Sequence, residues 1–239
     1  IIRGLVGSEM CIRDRWYITD TEVNHLAHRL ALNSATHVVV PTHWNQELDG
    51  GFLASFKGIV HRLDGLHGHV HLVPHRRPSS VSSPPRILVR RLEGDGVHDG
   101  DEIVPFPNDA LDGLATTLAD ENAYEGEAWG LDRELASHDG VITQSVTLAS
   151  EAALLGTPVL LISAAERGFL DRLEGEGAPM FRWRGSGGST EWKAVHAQFL
   201  AGLHLTDALE PAAWPGAKEQ LVEWLLSLIH ISEPTRPRI

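Results

Sequence analysis

The stretch DGVITQSVTLASEAALLGTPVLLIS, residues 139–163, constrains the fold more than any other part of the chain. It reads as strand, polar turn, helix, Gly-Thr-Pro, strand. Residues 141–143 and 158–163 are short apolar runs of the kind a parallel sheet buries on both faces. Between them, 146–155 is an Ala/Leu helix ended by Gly156, since glycine readily takes the left-handed turn that closes a helix. Two buried strands joined by one helix call for a parallel sheet with helices packed on its faces.

The rest of the chain extends that pattern. Residues 22–34 space Val23, Leu26, Ala27, Leu30 and Ala31 as a helix, with Asp20 or Thr21 as N-cap and Glu22 in the first turn. A β-branched strand follows at 37–40, ended by Pro41. Residues 42–69 are rich in Gly and His and weakly periodic, and a short strand is predicted at 70–73. Residues 74–85 (PHRRPSSVSSPP) read as a linker. Beyond it come a strand at 86–92, a polar loop at 93–102, and helices at 108–119 and 130–137. The 139–163 unit is followed by a helix at 165–175, a strand at 180–183, and helices at 189–202 and 216–227. The predicted class is α/β: a truncated first domain over 16–73, a linker over 74–85, and a Rossmann-like parallel-sheet domain over 86–227.

Composition removes several function classes. The formal charge of −12 over 239 residues argues against a general nucleic-acid binder, which presents a basic face. No apolar run is long enough to span a membrane. A single cysteine excludes an intrachain disulfide framework and a multi-cysteine zinc site. The two ends stand apart. Residues 1–15 and 228–239 have no link to the periodicity beside them, and GSEMCIRDR and SLIHISEPTRP resemble translated sequencing-adapter DNA. They are read as additions flanking a genuine portion of about 16–227, which leaves targeting signals unreadable.

Three features of 139–163 point to a ligand. The turn Gln144-Ser145 lies at the carboxyl end of a strand, where open parallel sheets place ligands. The helix that begins at Val146 offers free N–H groups and the positive end of its dipole, which suits phosphate. Glu151, six residues after Ser145, carries a carboxylate able to accept two hydroxyl hydrogen bonds, as from a ribose. The plainer alternative is that Ser145 only caps the helix and Glu151 is a solvated charge.

VITQSVTLASEAALLGTPVL resembles the nucleotide-sugar-binding segment of GT-B enzymes, in particular an archaeal and bacterial family of predicted glycosyltransferases. The family pattern, Asp-Ser-x-Thr-Met-x-x-Glu-Ala-x-Leu-Leu-Gly-Thr-Pro, is matched at Ser145, Thr147, Glu151, Ala152, Leu154, Leu155, Gly156, Thr157 and Pro158. Residues 19–41 resemble an N-terminal segment of the same family. The Arg90 strand followed by His98-Asp99 resembles its Arg strand and His-Asp pair. A more distant similarity is to non-hydrolysing UDP-GlcNAc 2-epimerases. Two departures stand out: Gln144 replaces a frequent Asp, and Val146 replaces a Gly that lets backbone approach a diphosphate.

The resemblance implies a GT-B-like architecture, a nucleotide-sugar donor (a UDP-linked sugar among the candidates) and an unidentified acceptor, with no further cofactor and no metal in the transfer step. Gln144, Ser145, Val146 and Thr147 would face the phosphates, Glu151 would hold the ribose, and Arg90 would offset phosphate charge. His98, Asp99 and Asp20 are the catalytic candidates, with the general base assigned to the first domain. Against these, His98-Asp99 also suits plain turn chemistry, and Asp20 and Glu22 suit helix capping. Epimerisation and non-catalytic binding of the same ligand are the alternatives. The implied setting is cytoplasmic, with peripheral membrane association open.

Other patterns carry less. His69 and His71 would share a face of a strand and so reach one metal, but no carboxylate stands at a ligand spacing from them. Trp183, Trp192, Trp214 and Trp224 suit packing. RGSGGS (184–189) lacks the Lys-Ser/Thr of a P-loop, and Ser145 lacks the flanking glycines of a hydrolase nucleophile.

Overall fold

The computed structural model describes residues 14–75, 77–92, 102–120, 130–204 and 216–231. It is mixed α/β and contains two parallel sheets, one of three strands and one of five. The backbone divides into two units, Ile1–His71 with Trp214–Ile239, and Leu72–Ala213.

In the first unit, β1 (Trp16–Ile18), β2 (His37–Pro41) and β3 (Ile59–Leu63) pair in that order, all parallel. β2 is central and buried along its whole length, as its β-branched run predicts. Helix α1 (His25–Ser34) covers one face, where Ala31, Val38, Val40, Trp44 and Phe52 form a core. Its N-cap is Asn24, whose side chain accepts from Ala27 N–H, so neither Asp20 nor Thr21 caps it. The short α2 (Phe52–Ser55) and β3 fall inside the weakly periodic 42–69 segment.

No strand forms at 70–73: residues 70 and 71 end a short helix, α3 (His67–His71), and 72 and 73 are irregular. On a helix, residues two apart diverge, so His69 and His71 do not share a face. The i, i+4 rings of His67 and His71 lie together at 4.6 Å, and His69 Nδ1 accepts from Leu66 N–H at 2.8 Å.

The last helix, α8 (Ala217–Ile231), is predicted with the second domain, but it packs on β3 and α3 of the first unit. Ala217, Leu221 and Trp224 close a core with Val39, Leu63 and Trp16. Trp16 stacks on His37 at 4.4 Å, and His61 contacts both Trp16 and Trp224.

The second unit is built on β4 (Arg86–Arg90), β5 (Ala115–Leu118), β6 (Gly140–Thr143), β7 (Val159–Ile162) and β8 (Met180–Trp183), in the order β5-β4-β6-β7-β8 and all parallel. α7 (Gly188–Gly202) covers one face through Trp192 and Phe199, over Ile87, Val89, Ile142, Leu160 and Ile162. α5 (Val146–Leu154) packs on β6 and β7 with α4 (Leu131–Ser137) and α6 (Gly168–Gly175) beside it. The helix predicted at 108–119 is a turn followed by β5. Gly113 takes φ 75, which a helix cannot continue, and Thr116 and Thr117 pair with β4 as an edge strand.

The 74–85 segment is no loose tether. Arg77 donates to the carbonyls of Gly156 and Asp139, Ser82 N–H donates to Asp139 Oδ2, and His75 Nε2 lies 2.9 Å from Asp132 Oδ2. Among the described residues, no helix is long and apolar enough to cross a membrane.

Candidate functional site

The order of the five-stranded sheet defines one special place. The chain passes from β4 outward to β5, then crosses to β6 on the other side of β4. Open parallel sheets take ligands outside the carboxyl ends of their strands at such a reversal. At these ends Arg90 and Thr143 are register partners. Ile87 and Val89 face the α7 side, so Leu88 and Arg90 project from the opposite face, together with Thr143.

Thr143, which sequence reading passes over, staples this corner. Its hydroxyl donates to Arg90 O at 3.0 Å and accepts from Ser145 N–H at 2.9 Å. Ser145 is the N-cap of α5, and its Oγ accepts from Leu148 N–H. The Ser145 N–H thus donates, and its Oγ accepts, inside the protein. The N–H groups of Val146 and Thr147 have no acceptor among the described residues, so they are the open donors of this helix end. Thr147 is exposed, and Val146 is half-buried.

Arg90 is half-buried, and its Nε is shielded from solvent without a hydrogen-bond partner. Its neighbour Arg91 pairs with Asp120 through its guanidinium and its backbone N–H. Hydrogen bonding from Arg91 holds the Asp120 carboxyl below its ordinary value against the opposing effect of burial, with a smaller contribution from the charge of Arg90. Asp120 therefore answers mainly Arg91 at this edge.

Glu151 is buried, on the second turn of α5. It lies one turn beyond Thr147 on α5.

Gln144 differs from its predicted role. It is 5% exposed, its Oε1 accepts from Leu92 N–H at 3.1 Å, and its Nε2 donates to Val104 O at 2.7 Å. Its side chain is committed to two loops and faces the α7 side, away from Arg90.

His98 and Asp99 lie outside the described residues. Asp20 belongs to the first unit, in the loop after β1, with Oδ2 3.7 Å from His67 Nδ1. Glu22 in the same loop is 2% exposed, and its Oε1 accepts from Asn45 N–H, tying the exits of β1 and β2 together. Asp20, Glu22 and His67 thus collect at the carboxyl edge of the first sheet. No residue pattern in the sequence singles out His67 as the partner of Asp20.

Among the described residues, no group of three or more His, Cys, Asp or Glu is placed to hold a metal ion. A surface groove on α8, lined by Glu219, Val222, Glu223, Leu226 and Ser227, is apolar and carries none of the candidate residues.

No protein-family model and no curated protein matches this chain. Among solved structures, the crystal structure of TarM aligns with 90% of this chain and 50% of its own, at 10% identity and a TM-score of 0.45. The chain spans about half of that protein. At this identity and score the likeness says nothing of chemistry.

Proposed function

We propose that the second unit binds the diphosphate and ribose of a nucleotide sugar, and that the chain is part of a GT-B-type glycosyltransferase. The observation that carries the reading is that Arg90, whose Nε has no hydrogen-bond partner, ends β4 beside Thr143 at the strand reversal, three residues before the helix end at Val146 and Thr147. A cation beside free helix-end amides is suited to a phosphate dianion. Glu151 would accept the ribose hydroxyls, in keeping with the segment's resemblance to nucleotide-sugar sites.

In transfer, the bond between the anomeric carbon and the leaving phosphate oxygen breaks as an acceptor oxygen bonds to that carbon. Charge grows on the departing diphosphate. Arg90 and the two amides would stabilise it without a metal, since such donors are fixed in place before charge develops. The acceptor proton would pass to a general base, and Asp20 is a proposed acid–base group within the described residues. His98 and Asp99 remain proposed acid–base groups.

The test is calorimetry on the whole chain with UDP, GDP, CDP and ADP. One nucleotide should bind at ~10–1000 μM, about −4 to −7 kcal/mol. Glu151→Ala should abolish detectable binding, and Arg90→Gln should weaken it about tenfold, the worth of one charged hydrogen bond. No binding by folded protein would overturn the reading.

A further inference from the structure

Residues 102–104 cross the carboxyl ends of the second sheet and are tied down at every step. Glu102 O accepts from Ser163 Oγ at 3.1 Å and from Ala164 N–H at 3.0 Å, and Ile103 bridges Ser163 in antiparallel sense. The Glu102 carboxylate accepts from Nη1 and Nη2 of Arg167, at 2.7 and 2.8 Å, and Arg167 is the residue that opens α6. Val104 is buried in the core beneath α7, with its side chain against Gly185. A Cβ on Gly185 would fall 2.8 Å from Val104 Cγ1, so the glycine is the counterpart that lets the segment lie down.

The last tie is Gln144. Among the described residues, its amide joins the exit of β4, through Leu92 N–H, to Val104 O. A primary amide suits the position because it both accepts and donates. A carboxylate there would accept from Leu92 but turn a negative oxygen toward Val104 O.

We propose that Gln144 is a latch and not a ligand contact: it holds residues 102–104 as a strap that closes the α7 side of the strand ends, so that a ligand approaches from the α5 side, where Arg90 and the open helix end lie. Gln144 is a positioning residue in this scheme. The inference about ligand approach rests on the proposed donor site, whereas the latch itself does not.

The experiment is amide hydrogen exchange on the whole chain, comparing wild type with Gln144→Met and with Glu102→Gln. Methionine is neutral and of similar size but cannot form either hydrogen bond. Exchange at the Leu92 and Ala164 amides, the backbone donors of these ties, should rise at least tenfold in Gln144→Met, while the amides of β6 and β7 keep wild-type protection. Glu102→Gln, which weakens the far end of the strap, should loosen the same segment. Unchanged exchange at Ala164, whose N–H donates to Glu102 O, would overturn the latch. So would equal acceleration throughout the sheet, because that marks a residue that merely supports the core.

Nucleoside diphosphate titration of the same variants separates the two claims. Weakened binding by Gln144→Met with a loosened strap supports its part in ligand approach. Undiminished binding with a loosened strap overturns that part alone. Absence of binding in wild type would sink the donor-site reading and leave the exchange result standing.

Discussion

His28 shows how one buried ring sets a condition on the whole first unit. It is 2% exposed and stacks on Phe52 at 4.4 Å. Its Nε2–H donates to Thr21 O, and its Nδ1 is buried without a hydrogen-bond partner, so a second proton would have no acceptor. Burial, opposed by that carbonyl, pushes its pKa down to about 4. The unfolded chain takes up this proton below ~6.5, whereas the folded chain does so only near 4. Stability contributed by neutral His28 is complete above ~6.5, declines as pH falls through that window, and levels off below 4. The size is on the order of 3 kcal/mol. Urea midpoints of wild type and His28→Phe at pH 7 and pH 4.5 check this. The difference between the two proteins should shrink or reverse at the lower pH, and a constant difference would refute the assignment. Gln144, in the second unit, shows what sequence cannot reveal about a residue. Its partners lie 52 and 40 positions away, so nothing local distinguishes a latch from a ligand contact.

At the scale of elements, α5 and its flanking strands were legible because independent signals agree there. The apolar runs are short and β-branched, Ser145 is a good cap, and Gly156 ends the helix with φ 74. Agreement failed where an element is an edge or has too few residues for a period. Residues 108–119 space Ala110, Leu111, Leu114 and Leu118 in a way a helix would accept, yet two of the conflicting clues, Gly113 and the Thr pair, decide for turn and strand. β3 leaves Ile59 and Val60 exposed, so no alternation against a core marks it. α5 also carries a prediction. Val146 stands at its first turn, where a β-branched side chain crowds an approaching phosphate. Val146→Gly should tighten diphosphate binding about fivefold, roughly 1 kcal/mol, at a cost in helix stability of up to ~1 kcal/mol. Titration together with thermal melts would separate the two effects, and weaker binding by a fully folded variant would count against phosphate at this helix end.

At the scale of the molecule, the chain leaves the first unit after His71 and contributes α8 to it again at the far end. Trp224 and Leu221 belong to the core made by Val39 and Leu63. Trp224→Ala should therefore lower the protection of amides in β2 and β3 by about 2 kcal/mol, below the full core value because the ring is half-buried. The five-stranded sheet should keep its protection. Hydrogen exchange read peptide by peptide decides this, and equal loss in both sheets would refute it. Order along the chain predicts this helix with the second unit, since neighbours in sequence are usually neighbours in space, and the apolar stripe of α8 does not say which sheet it serves.

That return of the chain has a consequence during synthesis. A ribosome delivers β1, β2 and β3 early, but the helix that seals Val39 and Leu63 emerges only after all of Leu72–Ala213. At ordinary elongation speeds the wait is on the order of ten seconds. Through that interval the nascent three-stranded sheet shows water an apolar face, while the five-stranded unit already has α4, α5, α6 and α7. A chaperone that shields the first sheet would act in that window, and its hold would end when the last helix arrives.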